Sequence, residues 1–156
     1  MTTPVLEQAI PTGATILLDT SAILAYLSGA EPTSAAAAVI LDRMVATGRN
    51  PAILSAVTVT ATLVRPIRSG SEQAVHLVEA FLEHFPNLRV EPVTIDIARR
   101  AAGIRASTAA PTPDALILAT GEVVGAAITI GNDVGWARVI ERAGLSTALV
   151  RLDDHV

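Results

Sequence analysis

Apolar residues follow two rhythms that alternate along this chain. Short continuous runs read as buried strands: residues 14–19 (ATILLD), 52–55 (AILS), 88–91 (LRVE), 126–130 (AAITI) and 146–152 (STALVRL). Between them the apolar positions recur at helical spacing. Helices are expected over 20–27, ended by Ser28-Gly29, and from Pro32 to about Thr47, closed by Gly48. Further helices are expected over 56–68, from Glu72 to about His84, and from the Thr94 cap to about Ser107. The last two run from about Pro113 to Val124 and from Asn132 to about Ala143. Val57 to Thr60 favour a strand locally, but the whole of 56–68 reads as a helix. Residues 1–13 form a Pro- and Gly-marked lead-in, 14–151 the domain, and 152–156 a tail.

Strands alternating with helices predict an α/β fold. The expected architecture is a single-domain α/β/α sandwich around a central parallel sheet of four to five strands, with right-handed connections.

Composition narrows the chemistry. With 156 residues, 51% hydrophobic and 17% charged, the chain is one well-filled domain and not a disordered segment. Cysteine is absent, which removes disulfides, thiolate metal sites and a cysteine nucleophile. All 11 basic residues are arginine, so any mechanism needing lysine is excluded, a signalling receiver domain among them. A net charge of −4 disfavours a sequence-blind grip on DNA. The longest apolar stretches, 16–27 and 115–130, contain Asp19 and Glu122 and are short for a bilayer span. The first residues lack a basic and then apolar leader pattern. A cytoplasmic protein without membrane association is expected.

Three carboxylates fall where open α/β sheets place their ligands, beyond the carboxyl ends of strands. Asp19 ends the first strand, Asp133 follows the fourth, and Asp114 opens the helix after the Pro-Thr-Pro loop. Each alone is explained by helix capping. Together at one sheet edge they read as a site. Two carboxylates about 4 Å apart repel by roughly 4 kcal/mol at an effective dielectric near 20, so a cluster calls for a cation. Oxygen ligands without His or Cys suit Mg²⁺ or Mn²⁺. Such an ion activates water and offsets the charge of an in-line phosphoryl displacement. Thr20, Ser21 and Asn132 flank these acids and either orient metal-bound water or serve as caps and turn residues. A haloacid-dehalogenase-type phosphatase needs Asp where Ser21 stands, and a dinucleotide binder needs a Gly-rich loop where DTSAIL stands.

The ordered segments LLDTSAILAYL, LSAVTVTATLV, PDALILAT and ITIGND resemble the PIN-domain family, especially VapC-type toxins of toxin–antitoxin pairs. The resemblance covers about Thr15 to Val150. It implies a Mg²⁺- or Mn²⁺-dependent endoribonuclease in which Asp19, Asp114 and Asp133 bind metal. It also implies an RNA substrate, a VapB-type antitoxin and a homodimer. Three positions depart from the family pattern. Ala61 stands where the family has Glu, and Gly131 and Gly135 stand where it often has Thr and an acid. No acid lies between Asp42 and Glu72, so the loss is not a small shift of register. Ala61 is either a deliberate disarming substitution or the mark of a degenerate member, and the well-kept surroundings favour the first. In both cases catalysis is expected to be weak. Arg65 and Arg68, on the same predicted helix, are the expected RNA-backbone contacts. The rival reading is a catalytically silent PIN-like module that binds RNA or a protein.

Overall fold

The computed structural model describes residues 2–156; Met1, the first residue of the expected lead-in, lies outside the described residues. Among the described residues five strands form one parallel sheet: β1 (Ile16–Leu18), β2 (Ala52–Ser55), β3 (Leu88–Glu91), β4 (Ile128–Gly131) and β5 (Ala148–Arg151). Their order is β3-β2-β1-β4-β5, with Ile16 beside Ala52 on one side and Ile128 on the other. The predicted α/β/α sandwich is the observed fold. The strands are shorter than their apolar runs, because residues such as Ala14 and Ala126 sit in the approaches to the sheet.

Alternation along β1 and β2 divides the core into two layers. Ile16, Leu18, Ala52 and Leu54 face one side, where they meet α1 (Thr2–Ala9), α2 (Thr20–Ser28) and α3 (Ser34–Ala38). Leu17 and Ile53 face the other, against α6 (Ile95–Ser107) and α7 (Thr112–Val124). Both faces are buried, as parallel strands require. The remaining helices are α4 (Ala56–Ser69), α5 (Glu72–His84) and α8 (Trp136–Ala143). No helix of the described residues is long and apolar enough to cross a membrane.

Four local features differ from expectation. The lead-in contains helix α1, whose Leu6, together with Ile10 just beyond it, is fully buried. Buried Asn50 fixes this segment by donating to the Pro11 and Ala14 carbonyls, both at 2.8 Å. The expected tail forms a short 3-10 turn, Leu152–His155, with Leu152 in the core. The helix expected from Pro32 widens after α3 into π-type turns over Val39–Val45, with Ala46 N–H bonded to the Leu41 carbonyl. Finally, α8 begins at Trp136 and not at Asn132. Asp133 holds the intervening turn, its side chain accepting from Gly135 N–H at 2.8 Å and its carbonyl from Trp136 N–H.

Helix α4 forms despite its run of β-branched residues. Ser55 caps it by accepting from Val57 N–H, and the Thr62 hydroxyl donates back to the Thr58 carbonyl at 2.9 Å. Gly121 sets the distance between α7 and the sheet: a Cβ there would lie 2.8 Å from Leu17 Cδ2. This close approach carries the first turn of α7, and Asp114 with it, to the rim of the central strand.

Candidate active site

The strand order reverses between β1 and β4, and Asp19, the first residue beyond β1, lies beside Gly131, the last of β4. Asp19 N–H continues the ladder by bonding to the Ile130 carbonyl at 2.9 Å. A Cβ on Gly131 would lie 3.2 Å from Asp19 Cβ and 3.3 Å from its Oδ2. Asp19 is only 8% exposed. It stands at the cap position of α2 but makes no capping bond. Instead its Oδ2 accepts from the Ser21 hydroxyl at 3.3 Å. Burial pushes its pKa up to about 6 from 3.8. The Thr20 backbone N–H and the Ser21 hydroxyl oppose that rise, and the charges of Asp114 and Asp133 add to it.

Asp114 and Asp133 are thus within electrostatic reach of Asp19, as the strand-end argument expects. Each is oriented through one oxygen. Asp114 Oδ2 accepts from the indole N–H of buried Trp136 at 3.0 Å, and Asp133 Oδ1 accepts from Gly135 N–H. Their other oxygens have no hydrogen-bond partner among the described residues. No three His, Cys, Asp or Glu side chains among the described residues close into a metal cage. The acids share a rim without being drawn onto one point.

The flanking residues divide by role. Ser21 orients Asp19, whereas Thr20 points its hydroxyl to Thr58 Oγ1 on α4, 3.4 Å away. Asn132 Oδ1 accepts from Asp153 N–H at 2.9 Å and so ties the acid-bearing loop to the C-terminal turn. Ala61 is half-buried on α4, one turn beyond Thr58, and adds no carboxylate. Arg65 and Arg68 are exposed; Arg68 borders an apolar groove on α4 with Val59, Leu63 and Ile67. Neither reaches the acids' cleft.

That cleft, of about 330 Å³, lies between the 108–111 loop and α8. Asp114 and Asp133 open onto it, as do Arg138 and Arg142. Sequence reasoning misses this pairing and the Trp136–Asp114 bond. The available signal was the i, i+4 spacing of the two arginines just past Asp133.

A family model described as PIN domain matches residues 16–141. No curated protein matches the chain. Among solved structures, FitAcB from Neisseria gonorrhoeae is 22% identical with a TM-score of 0.64, covering 88% of this chain and 97% of that one. VapC20 of Mycobacterium tuberculosis, a toxin that cleaves the sarcin–ricin loop, is 20% identical with a TM-score of 0.62, covering 79% and 93%. A toxin–antitoxin complex from Klebsiella pneumoniae is 20% identical with a TM-score of 0.57, covering 76% and 86%. At these identities the likeness is one of fold.

Proposed function

This chain belongs to the PIN-domain family, and from that premise we propose that it is a Mg²⁺- or Mn²⁺-dependent endoribonuclease of the toxin–antitoxin type, weakened by Ala61. Asp19 carries the reading. It is a carboxyl buried at the end of the central strand, beside a topological switch point and within electrostatic reach of two further carboxylates. Structure alone gains nothing from such an arrangement. A hard divalent cation fits its donor set, which is oxygen only and has unpartnered oxygens on Asp114 and Asp133. Asp19, Asp114 and Asp133 would hold the ion. When bound, it supplies the charge that activates water and offsets the negative charge of phosphodiester cleavage.

The chain's own residues prepare that site. Ser21 and the Thr20 N–H hold Asp19 in the ionised form against the effect of burial. Trp136 fixes the rotamer of Asp114, and the Gly135 N–H fixes that of Asp133. Position 61 lies on α4, whose Thr58 touches Thr20 beside Asp19. An Ala there leaves the cluster one carboxylate short, so metal affinity and water activation both fall.

The test compares RNA cleavage by this chain and by Ala61→Glu in Mn²⁺ or Mg²⁺, with EDTA as control. Metal-dependent cutting that Glu raises at least tenfold is the expected result. If neither protein cuts a broad RNA panel, the enzyme reading gives way to a silent PIN-like module, for which Ala61, Gly131 and Gly135 already speak. The reading carries a VapB-type antitoxin, a homodimer and a cytoplasmic location with it. The toxin–antitoxin complex that shares the fold supports the first of these.

A further inference from the structure

The cleft beside Asp114 and Asp133 has two unlike walls. One is the 108–111 loop, which presents Ala109, Ala110 and Pro111; the other is α8, which presents Val139, Arg138 and Arg142. Both arginines are exposed and have no ion pair among the described residues. They stand one helical turn apart on the same face. The loop is held in place: Arg105 Nε donates to the Ala110 carbonyl at 3.1 Å and its Nη1 to the Thr112 hydroxyl at 2.8 Å. The Thr108 hydroxyl donates to the Ile104 carbonyl and accepts from Ala110 N–H. A held apolar wall therefore faces two guanidinium groups without an ion pair, and Asp114 and Asp133 open onto the same cleft.

The cleft volume of about 330 Å³ is at the small end of ligand sites, which run from about 300 to 1,000 Å³. It suits one unstacked nucleotide and is too small for a duplex. Guanidinium groups match phosphate oxygens through their planar fork. Arg138 and Arg142 make no ion pair among the described residues although Asp114 and Asp133 open onto the same cleft, so both guanidinium groups are available to a phosphate.

We propose that this cleft is the substrate subsite for single-stranded RNA: one nucleotide next to the scissile phosphate places its base against Ala109, Pro111 and Val139, and its flanking phosphates on Arg138 and Arg142. The proposal rests on the endoribonuclease reading for its substrate class and adds to it where the strand runs. Arg105 is a positioning residue that holds the loop wall and does not touch RNA.

The experiment is fluorescence anisotropy with a labelled random-sequence 12-nucleotide RNA over a salt series. It uses the full chain in EDTA, so that cleavage plays no part. Arg138→Gln and Arg142→Gln should each weaken binding at least threefold. Each should also reduce the slope of log K against log salt by about 0.7, the value for one phosphate contact on a single strand. Ala109→Leu, which fills the cleft from an exposed position, should weaken binding without changing the slope. Arg43→Gln, on the helical segment packed against the other face of the sheet, should change neither. Melting temperatures equal to the parent's would show that the variants are folded. Equal affinity and slope in the two cleft-arginine variants overturns the proposal, and so does an absence of RNA binding by the parent chain. The enzyme reading is tested separately with Ala61→Glu. Cleavage by Ala61→Glu with a KM unaffected by Arg138→Gln keeps the enzyme and removes the subsite. RNA binding lost in the arginine variants, with no cleavage by Ala61→Glu, keeps the subsite and removes the enzyme.

Discussion

Asp19→Asn should make the protein more stable at neutral pH. Asp19 has a folded pKa of about 6 against 3.8 unfolded, so between those values the native state binds more protons than the unfolded one. Stability then falls as pH rises through that window, and the loss is complete above the folded value. A shift of roughly two units corresponds to about 3 kcal/mol, at about 1.4 kcal/mol per unit. Asp19 is 8% exposed, so solvent screening removes little of this. Asparagine removes the charge but offers one acceptor oxygen in place of two and weaker, uncharged bonds to the Thr20 N–H and Ser21 hydroxyl, which returns about 1 kcal/mol. The net gain is about 2 kcal/mol, or about 4–8 °C in Tm for a chain of this size. Thermal unfolding of both proteins in EDTA, from pH 4 to pH 8, measures it. The two curves should nearly meet at pH 4, separate between pH 4 and 6, and run parallel above pH 7. A variant that melts at or below the parent at pH 7.5 would refute the argument that burial and neighbouring carboxylates strain Asp19.

Adding Mn²⁺ at 100 times its dissociation constant should stabilise the parent by about 2.7 kcal/mol, and calorimetry should show most of that shift abolished in Asp114→Asn and Asp133→Asn. Trp136→Phe keeps the buried ring but removes the N–H donor to Asp114. Isothermal titration should show Mn²⁺ affinity down about tenfold, with stability down only about 1 kcal/mol. Gly121→Ala places a methyl 2.8 Å from Leu17 Cδ2, and urea titration should register a loss of about 1–3 kcal/mol.

Much of the frame is legible because burial on both faces writes itself as unbroken apolar runs. ILL and AILS could hardly be anything but central strands, and the first residue after each marks the rim. Asp19 is legible in this way, and Asp133 follows from the apolar run of β4, two residues past its end. Asp114 needed the further inference that α7 begins at the same edge, which depends on Gly121 lying against Leu17. Helix α1 is hidden in the sequence because Pro4, Pro11 and Gly13 read as loop punctuation. The four-residue spacing of Leu6 and Ile10 was the weaker signal that proved to matter. The π-type turns could not be read at all, since buried positions 40, 41, 44 and 45 suit an α-helix equally well. The Trp136–Asp114 bond joins residues 22 apart in sequence. Such pairings come from packing two elements together and leave no local periodicity.

The crowding of acids at the β1–β4 edge has an evolutionary side. Folding physics rewards the loss of the Asp19 charge from that rim, because burial and the neighbouring acids disfavour it. The frame beneath tolerates wide drift, as chains with about one residue in five in common share it. Losing that charge needs one codon change and runs downhill in free energy, whereas keeping the carboxylate demands continued selection. In a lineage released from that selection, loss of the Asp19 charge would be among the first changes to accumulate, and the protein that carried it would be sturdier than its parent.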